Sequence, residues 1–290
     1  MKKQCSKCYF VMKKSNIANI RIYLLSSLIF LSVACKDNKQ NDTGIEKVKI
    51  EENISLNKNS KSPSCKISID VDFLNSPKDS VALAINKTIN ATLLGKQYES
   101  LTPKAAVDSF KNAYITSYNN EVGKLYEEDL KSNPEQKNLL SWYNYEYKLS
   151  STITDGKSGI MNVKATFFEY SGGAHPNEWG KWMNFSKTSG ALLTYNDIFM
   201  TSSEKVISKM LLDKLIEYIS DKYKDEKVNG INDLNNLGIL NESDMYISDN
   251  FLVGKDEVSF LYNKYDIAPY SVGSIILSLP YSEVKDYMLK

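Results

Sequence analysis

One stretch decides how the chain is arranged: Phe167-Phe168-Glu169-Tyr170-Ser171-Gly172-Gly173-Ala174-His175-Pro176-Asn177. Aromatic and apolar residues alternate with polar ones on both sides of it, which predicts a β-strand before and after. The glycine pair predicts a turn, and a residue that precedes proline is biased away from helix. The stretch contains the only histidine of the chain, His175. This histidine either has a functional role or closes the turn, and the residues alone favour the second interpretation.

The N-terminus has the features of a targeting segment. Basic residues precede an apolar run, Ile22 to Val33, that is too short to cross a bilayer as a helix. The run is followed by Ala34 and Cys35, and small residues before a cysteine are typical of a lipoprotein signal. We therefore expect residues 1–34 to be removed as a lipoprotein signal peptide and Cys35 to carry lipid. An ordinary secretory signal with an incidental cysteine is the alternative.

A tether is predicted after the signal, over residues 35–64. This segment is rich in Lys, Asn, Glu and Ser and contains no aromatic residue. Removal of the signal also removes the Cys5/Cys8 pair, so Cys65 is left without a disulfide partner if Cys35 carries lipid. The fold must then depend on its core, and we expect neither a metal nor a cofactor, because zinc sites need several Cys or His ligands.

The rest of the chain is predicted to be α+β, with antiparallel sheets packed by helices. Alternating apolar residues predict strands, and apolar stripes at helical spacing predict helices. The predicted strands are Cys65–Phe73, Trp142–Leu149, Ile160–Tyr170, Trp179–Ser186, a pair within Phe251–Tyr262, and Ile275–Leu279. The predicted helices are two before Trp142, then Glu204–Lys224 as the longest, and Tyr281–Leu289. We expect two subdomains, residues 65–178 and 179–290, that share a face near His175.

Capping residues indicate where the predicted helices begin. A hydroxyl residue precedes a proline at Ser76-Pro77 and at Thr102-Pro103. The hydroxyl can cap a helix, and proline is tolerated in the first helical turn because an N–H group there would have no partner within the helix. Thr201–Glu204 fits the capping-box pattern. Asp225–Asn241 is polar and rich in asparagine, so it is predicted to be a loop.

A second motif, Phe260-Leu261-Tyr262-Asn263-Lys264-Tyr265-Asp266-Ile267-Ala268-Pro269-Tyr270-Ser271-Val272-Gly273, follows further along the chain. Together with Tyr170–Pro176 it resembles the RsiV-like extracellular domain family, in which a DUF4163 module precedes a DUF3298 module. That family includes lysozyme-sensing anti-sigma factors and an accessory region of some peptidoglycan deacetylases. The resemblance covers Cys65 to the C-terminus. It implies a DUF4163-like module at 65–178 and a DUF3298-like module at 179–290.

The resemblance implies a module that binds a ligand outside the membrane. Neither a sigma-binding region nor a deacetylase catalytic region accompanies the two motifs. We therefore expect a binding protein of the bacterial cell envelope, held by its N-terminal lipid at the outer membrane, on the periplasmic side or at the cell surface. The expected partner is a protein such as lysozyme, or a peptidoglycan-related ligand. A net charge of +1 gives no field that would attract nucleic acid.

Catalysis is not expected, because a Ser-His-Asp triad would have to use His175 and no Gly-x-Ser-x-Gly elbow is present. The alternative function is a peptidoglycan-acting hydrolase or a deacetylase accessory protein, using His175 or a pair of carboxylates. Asp70 and Asp72 share one face of a predicted strand. They could bind a metal, but two carboxylates on a solvated face are the commoner case.

Binding is expected at the aromatic residues of the two motifs, since rings give a large contact area at a low entropy cost. The ligand-binding candidates are His175, Pro176, Tyr265, Pro269 and Tyr270. The alternative is that the rings pack the junction between the subdomains. Packing is favoured for Tyr262 and Tyr265, whereas the two alternatives are even for Pro269 and Tyr270.

Overall fold

The computed structural model describes residues 44–56, 62–132, 142–224, 228–241 and 243–289. All of these residues belong to one unit of the chain, 42–290. The predicted signal peptide, residues 1–34, and the predicted lipidation site, Cys35, lie outside the described residues. Within the described ranges, no helix combines the length and the apolar character that crossing a bilayer requires.

A mixed sheet of six strands forms the first half of the fold. The strands follow one another in chain order across the sheet. They are β1 (Ile45–Ser55), β2 (Ser64–Leu74), β3 (Tyr145–Asp155), β4 (Ile160–Tyr170), β5 (Asn177–Ser186) and β6 (Leu192–Leu193). Neighbours are antiparallel except β2 and β3, which are parallel and are joined by a helical crossover, as a parallel pair requires. The boundary predicted between residues 178 and 179 falls inside β5.

The prediction of a tether over residues 35–64 is wrong for Ile45–Ser55, which forms the edge strand β1. β1 pairs with β2 along its whole length, from Ile45 opposite Leu74 to Ser55 opposite Ser64. Val48 is buried in this pairing. The segment is mostly charged and polar, and its apolar residues (Ile45, Val48, Ile50 and Ile54) do not alternate regularly, so its composition resembles that of a linker.

Six α-helices accompany the strands of the described chain. They are α1 (Ser80–Ile89), α2 (Pro103–Ser132), α3 (Tyr195–Ile198), α4 (Glu204–Lys222), α5 (Ile231–Asn236) and α6 (Tyr281–Val284). A π-helical turn, Asn90–Leu94, continues α1, and 3₁₀ turns occupy Lys96–Tyr98, Thr201–Ser203, Tyr270–Val272 and Lys285–Tyr287. With these helices and sheets, the predicted α+β class is confirmed.

Several predicted helix details are wrong. Asp79, not Ser76, caps α1, and its carboxylate accepts a hydrogen bond of 2.9 Å from the Val81 N–H. The capping box lies at Thr194–Asp197 instead of Thr201–Glu204. The longest helix is α2 rather than α4, and the predicted loop contains α5. The two capping errors arise because several Ser, Thr and Asp residues near each boundary satisfy the same capping chemistry.

Two apolar cores hold the fold together. In the first, α1 and α2 cover one face of the six-stranded sheet, where Ile69, Ile85 and Val107 are fully buried. The second core lies between α4 and a three-stranded antiparallel sheet of β7 (Phe251–Val253), β8 (Glu257–Tyr262) and β9 (Ile275–Pro280). The apolar stripe of α4 faces this core and is completely buried; it comprises Ile207, Leu211, Leu215 and Ile219.

Asparagine side chains join β5 to the three-stranded sheet. The Asn184 amide donates to the Phe251 carbonyl at 2.9 Å and accepts from the Val253 N–H at 2.8 Å. Asn250 makes the reverse contact: its Oδ1 accepts from the Trp182 N–H at 2.6 Å, and its Nδ2 donates to the Gly180 carbonyl at 2.8 Å. These amides satisfy strand-edge backbone groups that would otherwise be buried without partners.

Cys65 is buried beside Leu56, Tyr118 and Val122, and it has no disulfide partner in the described part of the chain. Burial raises the pKa of its thiol to about 12. Only the thiolate reacts rapidly with alkylating reagents, so a buried neutral thiol is inert at moderately alkaline pH.

We predict that Cys65 resists iodoacetamide in the native protein. The number of labelled thiols should be the same for the wild-type chain and a Cys65→Ser variant under native conditions. In guanidinium, where the core opens, the wild-type chain should label one more thiol. An extra labelled thiol in the native wild-type chain would contradict the burial.

Candidate functional site

The turn between β4 and β5 depends on its two glycines. Gly172 and Gly173 have φ angles of 85° and 104°, a backbone region that side chains strongly disfavour. A Cβ on Gly172 would also lie 2.6 Å from the Trp142 carbonyl oxygen. The turn therefore places His175 on the surface, where its Nδ1 is 3.4 Å from the Pro176 carbonyl oxygen.

The two sequence motifs meet at this turn. The His175 ring stacks on the Tyr270 ring, with centroids 4.2 Å apart and planes at 23°. The Tyr270 hydroxyl donates to the Pro176 carbonyl at 3.4 Å, and the Tyr265 ring lies 5.7 Å from the Tyr270 ring. Pro269 directly precedes Tyr270 and is exposed. The structure thus brings all five predicted ligand-binding candidates together. We call the rings of His175, Tyr265 and Tyr270 the aromatic surface.

Tyr262 is packed, but in the core between α4 and the three-stranded sheet rather than at a junction of subdomains, and the packing interpretation is wrong for Tyr265. Tyr262 is fully buried, and its hydroxyl donates to the Tyr246 carbonyl at 2.7 Å. Burial raises the pKa of this hydroxyl. Tyr265 is 64% exposed, and its φ of 72° is unusual for an aromatic residue. The loop that presents it is closed by Asp266, whose carboxylate accepts from the Asn263 N–H at 2.7 Å.

Lys264 is part of this site, although it is not among the ligand-binding candidates predicted from the sequence. Its Nζ lies 2.5 Å from Glu178 Oε2 and 4.4 Å from the centroid of the Tyr270 ring. The Glu178 carboxylate, and to a lesser extent Tyr270, raise the pKa of Lys264. A fixed cation therefore lies against the aromatic surface. Its position next to Tyr265 in the second motif was the available sequence signal.

The His175 ring stacks on the Tyr270 ring, and its Nδ1 lies near the Pro176 carbonyl oxygen. Among the described residues, no hydroxyl or carboxylate hydrogen-bonds to its imidazole. In the same part of the chain, no three His, Cys, Asp or Glu side chains converge in a way that could hold a metal ion.

Asp70 and Asp72, predicted to share a strand face, are bridged by a lysine. Lys47 Nζ lies 2.9 Å from Asp70 Oδ1 and 3.0 Å from Asp72 Oδ1. The prediction that both carboxylates lie on a solvated face is wrong for Asp72, which is buried. Its Oδ2 also accepts from the Ile153 N–H at 3.1 Å. These contacts with the two carboxylates raise the pKa of Lys47.

We predict that Lys47→Met lowers the free energy of unfolding at pH 7 by about 1 kcal/mol, a value reduced because half of Lys47 is in solvent. The folded-state pKa of Lys47 is raised, so the ion pairs stabilise the fold fully below its unfolded pKa. That stabilisation is lost as pH rises through the folded pKa, above 10.5. The free energy of unfolding measured with urea should be lower for the variant than for the wild type at pH 7. This difference should shrink at pH values above the folded-state pKa of Lys47. Lys49→Met, at an exposed position on the same strand, is the matched control, and an equal deficit in both variants would contradict the assignment.

Comparison with known proteins finds one family match, in the C-terminal part of the chain. Residues 196–282 match the family model described as "Protein of unknown function (DUF3298)". A crystal structure of a DUF3298 family member from Bacteroides fragilis is 23% identical, with a TM-score of 0.74 over 85% of this chain and 93% of that chain. A DUF3298 family protein from Pseudomonas aeruginosa is 15% identical, with a TM-score of 0.54 over 84% of this chain and 94% of that chain. No curated protein matches the chain.

These likenesses show a shared fold, and the match to the DUF3298 model confirms that part of the predicted resemblance. The matched segment includes Lys264, Tyr265 and Tyr270, but it begins after the His175 turn and so does not include it. The DUF4163-like assignment of residues 65–178 and the RsiV-like assignment stay predictions.

Proposed function

We propose that this chain is a binding protein of the bacterial cell envelope, and that it acts by holding a macromolecular ligand rather than by catalysis. One observation carries the proposal: two motifs far apart in the chain stack His175 on Tyr270 at an exposed surface. Exposed aromatic residues that are held in place lose little entropy on binding and supply much of the contact energy at interfaces.

The aromatic surface is held in place from several directions. The glycine turn restricts His175, the Asp266 carboxylate closes the loop of Tyr265, and the ion pair between Lys264 and Glu178 restricts the cation beside Tyr270. Such preorganisation favours affinity because less conformational freedom is lost when the ligand binds.

The position of the surface suits a ligand that approaches from outside. β1 begins at Ile45, at the end of the six-stranded sheet opposite the His175 turn. The strand is 11 residues long, and at roughly 3.3 Å per residue the two ends are about 35 Å apart. Only residues 36–44 separate Ile45 from Cys35, the proposed lipidation site. A lipid there would hold the far end of the sheet near the membrane and leave the aromatic surface facing away.

The ligand we propose is a C-type lysozyme, on the basis of the resemblance of the two motifs to the lysozyme-sensing family. A lipid-anchored module of this kind would sequester the enzyme at the envelope and so protect peptidoglycan from it. A peptidoglycan-related ligand is the alternative for the same surface.

Calorimetry of the purified chain with a C-type lysozyme tests the ligand, with the residual activity of the lysozyme measured in the same mixtures. We expect micromolar or tighter binding, about −8 kcal/mol or better, together with a loss of lysozyme activity. Absence of heat at several temperatures, with full lysozyme activity, would exclude lysozyme and direct the test to soluble peptidoglycan fragments.

A further inference from the structure

A second surface, separate from the aromatic surface, lies in the C-terminal half. The segment Asp244–Asp249 runs between α5 and β7 without helix or strand structure and lies beside α4. Between this segment and α4 is a groove of about 740 Å³, whose lining includes Lys205, Leu212 and Ile231. We call Asp244–Asp249 the open segment.

Within the described residues, the backbone of the open segment is held at three points. The Ser208 hydroxyl donates to the Met245 carbonyl, and the Tyr262 hydroxyl donates to the Tyr246 carbonyl at 2.7 Å. The Ser248 N–H donates to the same Tyr262 hydroxyl. In the part of the chain that the structure describes, the other backbone N–H groups of Asp244–Asp249 donate no hydrogen bond. The remaining backbone groups, among them those of the accessible residues Ile247 and Asp249, can pair with a partner, as groups at the edge of a sheet do.

The side chains around the open segment combine an apolar floor with acidic groups. Leu212, Ile231 and Ile247 are half-buried, so each keeps apolar surface in the groove. Three exposed carboxylates line it and make no ion pair with another described residue; they are Glu204, Asp244 and Asp249. Of the two lysines in the lining, Lys209 is paired with Asp213 at 3.1 Å, so the unpaired charge is predominantly negative.

We propose that this groove binds an extended peptide with alternating apolar and basic side chains, which pairs as an added strand with the open segment. Only a peptide backbone supplies alternating donors and acceptors at the spacing that an extended segment requires. The apolar floor takes every second side chain, and the carboxylates select basic residues among the others. This proposal does not depend on the function proposed for the aromatic surface.

The probe is a capped six-residue peptide of alternating lysine and valine, added to the isotope-labelled full chain and followed by amide NMR. We expect saturable shifts at the amides of Tyr246 and Ile247, and about tenfold slower hydrogen exchange there at saturation. The matched peptide with N-methylated valines cannot complete the backbone pairing, and it should bind about tenfold more weakly. Two results would overturn the proposal. One is equal binding of both peptides. The other is the absence of a saturable change at these amides at about 5 mM peptide, which corresponds to about the weakest affinity that the titration resolves.

A variant pair tests the location of the peptide. Leu212→Lys places a cation in the groove floor and should weaken peptide binding about tenfold. Leu83→Lys makes the same change at an exposed position of α1 and should leave binding unchanged. Binding that Leu212→Lys leaves intact, in a variant with the wild-type circular dichroism spectrum, would place the peptide elsewhere and overturn the assignment.

Discussion

Asn184→Ala is expected to lower the free energy of unfolding by about 3 kcal/mol, because two buried backbone groups lose their partners at once. The groups are the Phe251 carbonyl and the Val253 N–H. Asn184 is almost fully buried, so water cannot replace the amide without opening the junction between the sheets. The cost of an unpaired buried group exceeds the gain of an ordinary hydrogen bond, which is why this single truncation is expected to be so destabilising.

Urea unfolding measures this effect, and Asn119→Ala is the control. Asn119 lies on the exposed side of α2, where replacement by alanine should change stability by less than about 0.5 kcal/mol. Equal, small effects of the two substitutions would show that the amide of Asn184 does not support the junction. A normal slope of unfolding free energy against urea would confirm that both variants still unfold in one transition.

Gly156→Ala is expected to be similarly destabilising, by about 2–3 kcal/mol, through overpacking. A Cβ on Gly156 would lie 2.4 Å from the Val253 carbonyl oxygen and 2.7 Å from the Asn162 amide oxygen. The carbonyl belongs to β7 and accepts from the Asn162 amide at 3.1 Å. Backbone cannot move aside as a flexible side chain can, so the methyl group must push the β3–β4 turn away from the second sheet.

Gly230→Ala is the matched control for this prediction. Its Cβ would meet nothing within 4 Å, and its φ of −174° is extended backbone that any residue adopts. Thermal unfolding followed by circular dichroism should show a lower midpoint for Gly156→Ala and a nearly unchanged midpoint for Gly230→Ala. A Gly156→Ala variant as stable as wild type would mean that the two elements are not in close contact.

Periodicity made most of the fold predictable. The stripe from Ile207 to Ile219 predicts α4, and the alternation around the glycine turn predicts β4 and β5. These patterns are local, so a single sequence reveals them. β1 was missed because its charged positions resemble those of a linker. The asparagine junction was not predictable, since Asn184 bonds a backbone group 67 residues away and its sequence neighbours do not indicate this partner.

The candidate site was predicted in its residues but not in its geometry. His175 and Tyr270 were selected because each lies in a specific motif, and the structure shows their rings stacked. The sequence favours packing for Tyr265, whereas its exposure depends on a left-handed backbone angle that sequence does not indicate. The role of Lys264 is not visible in the sequence, because its partner, Glu178, lies 86 residues away and outside both motifs.

The affinity of a Tyr265→Ala variant for a C-type lysozyme tests the central claim most directly. Tyr265 is 64% exposed, so its removal should leave stability nearly unchanged while deleting contact area from the aromatic surface. We predict binding roughly 30-fold weaker than wild type, as for truncation of an aromatic anchor at an interface. Tyr246→Ala, which removes a 45% exposed tyrosine from the separate groove, should bind like wild type. Wild-type affinity in Tyr265→Ala, or an equal loss in both variants, would contradict the assignment of the aromatic surface as the binding site.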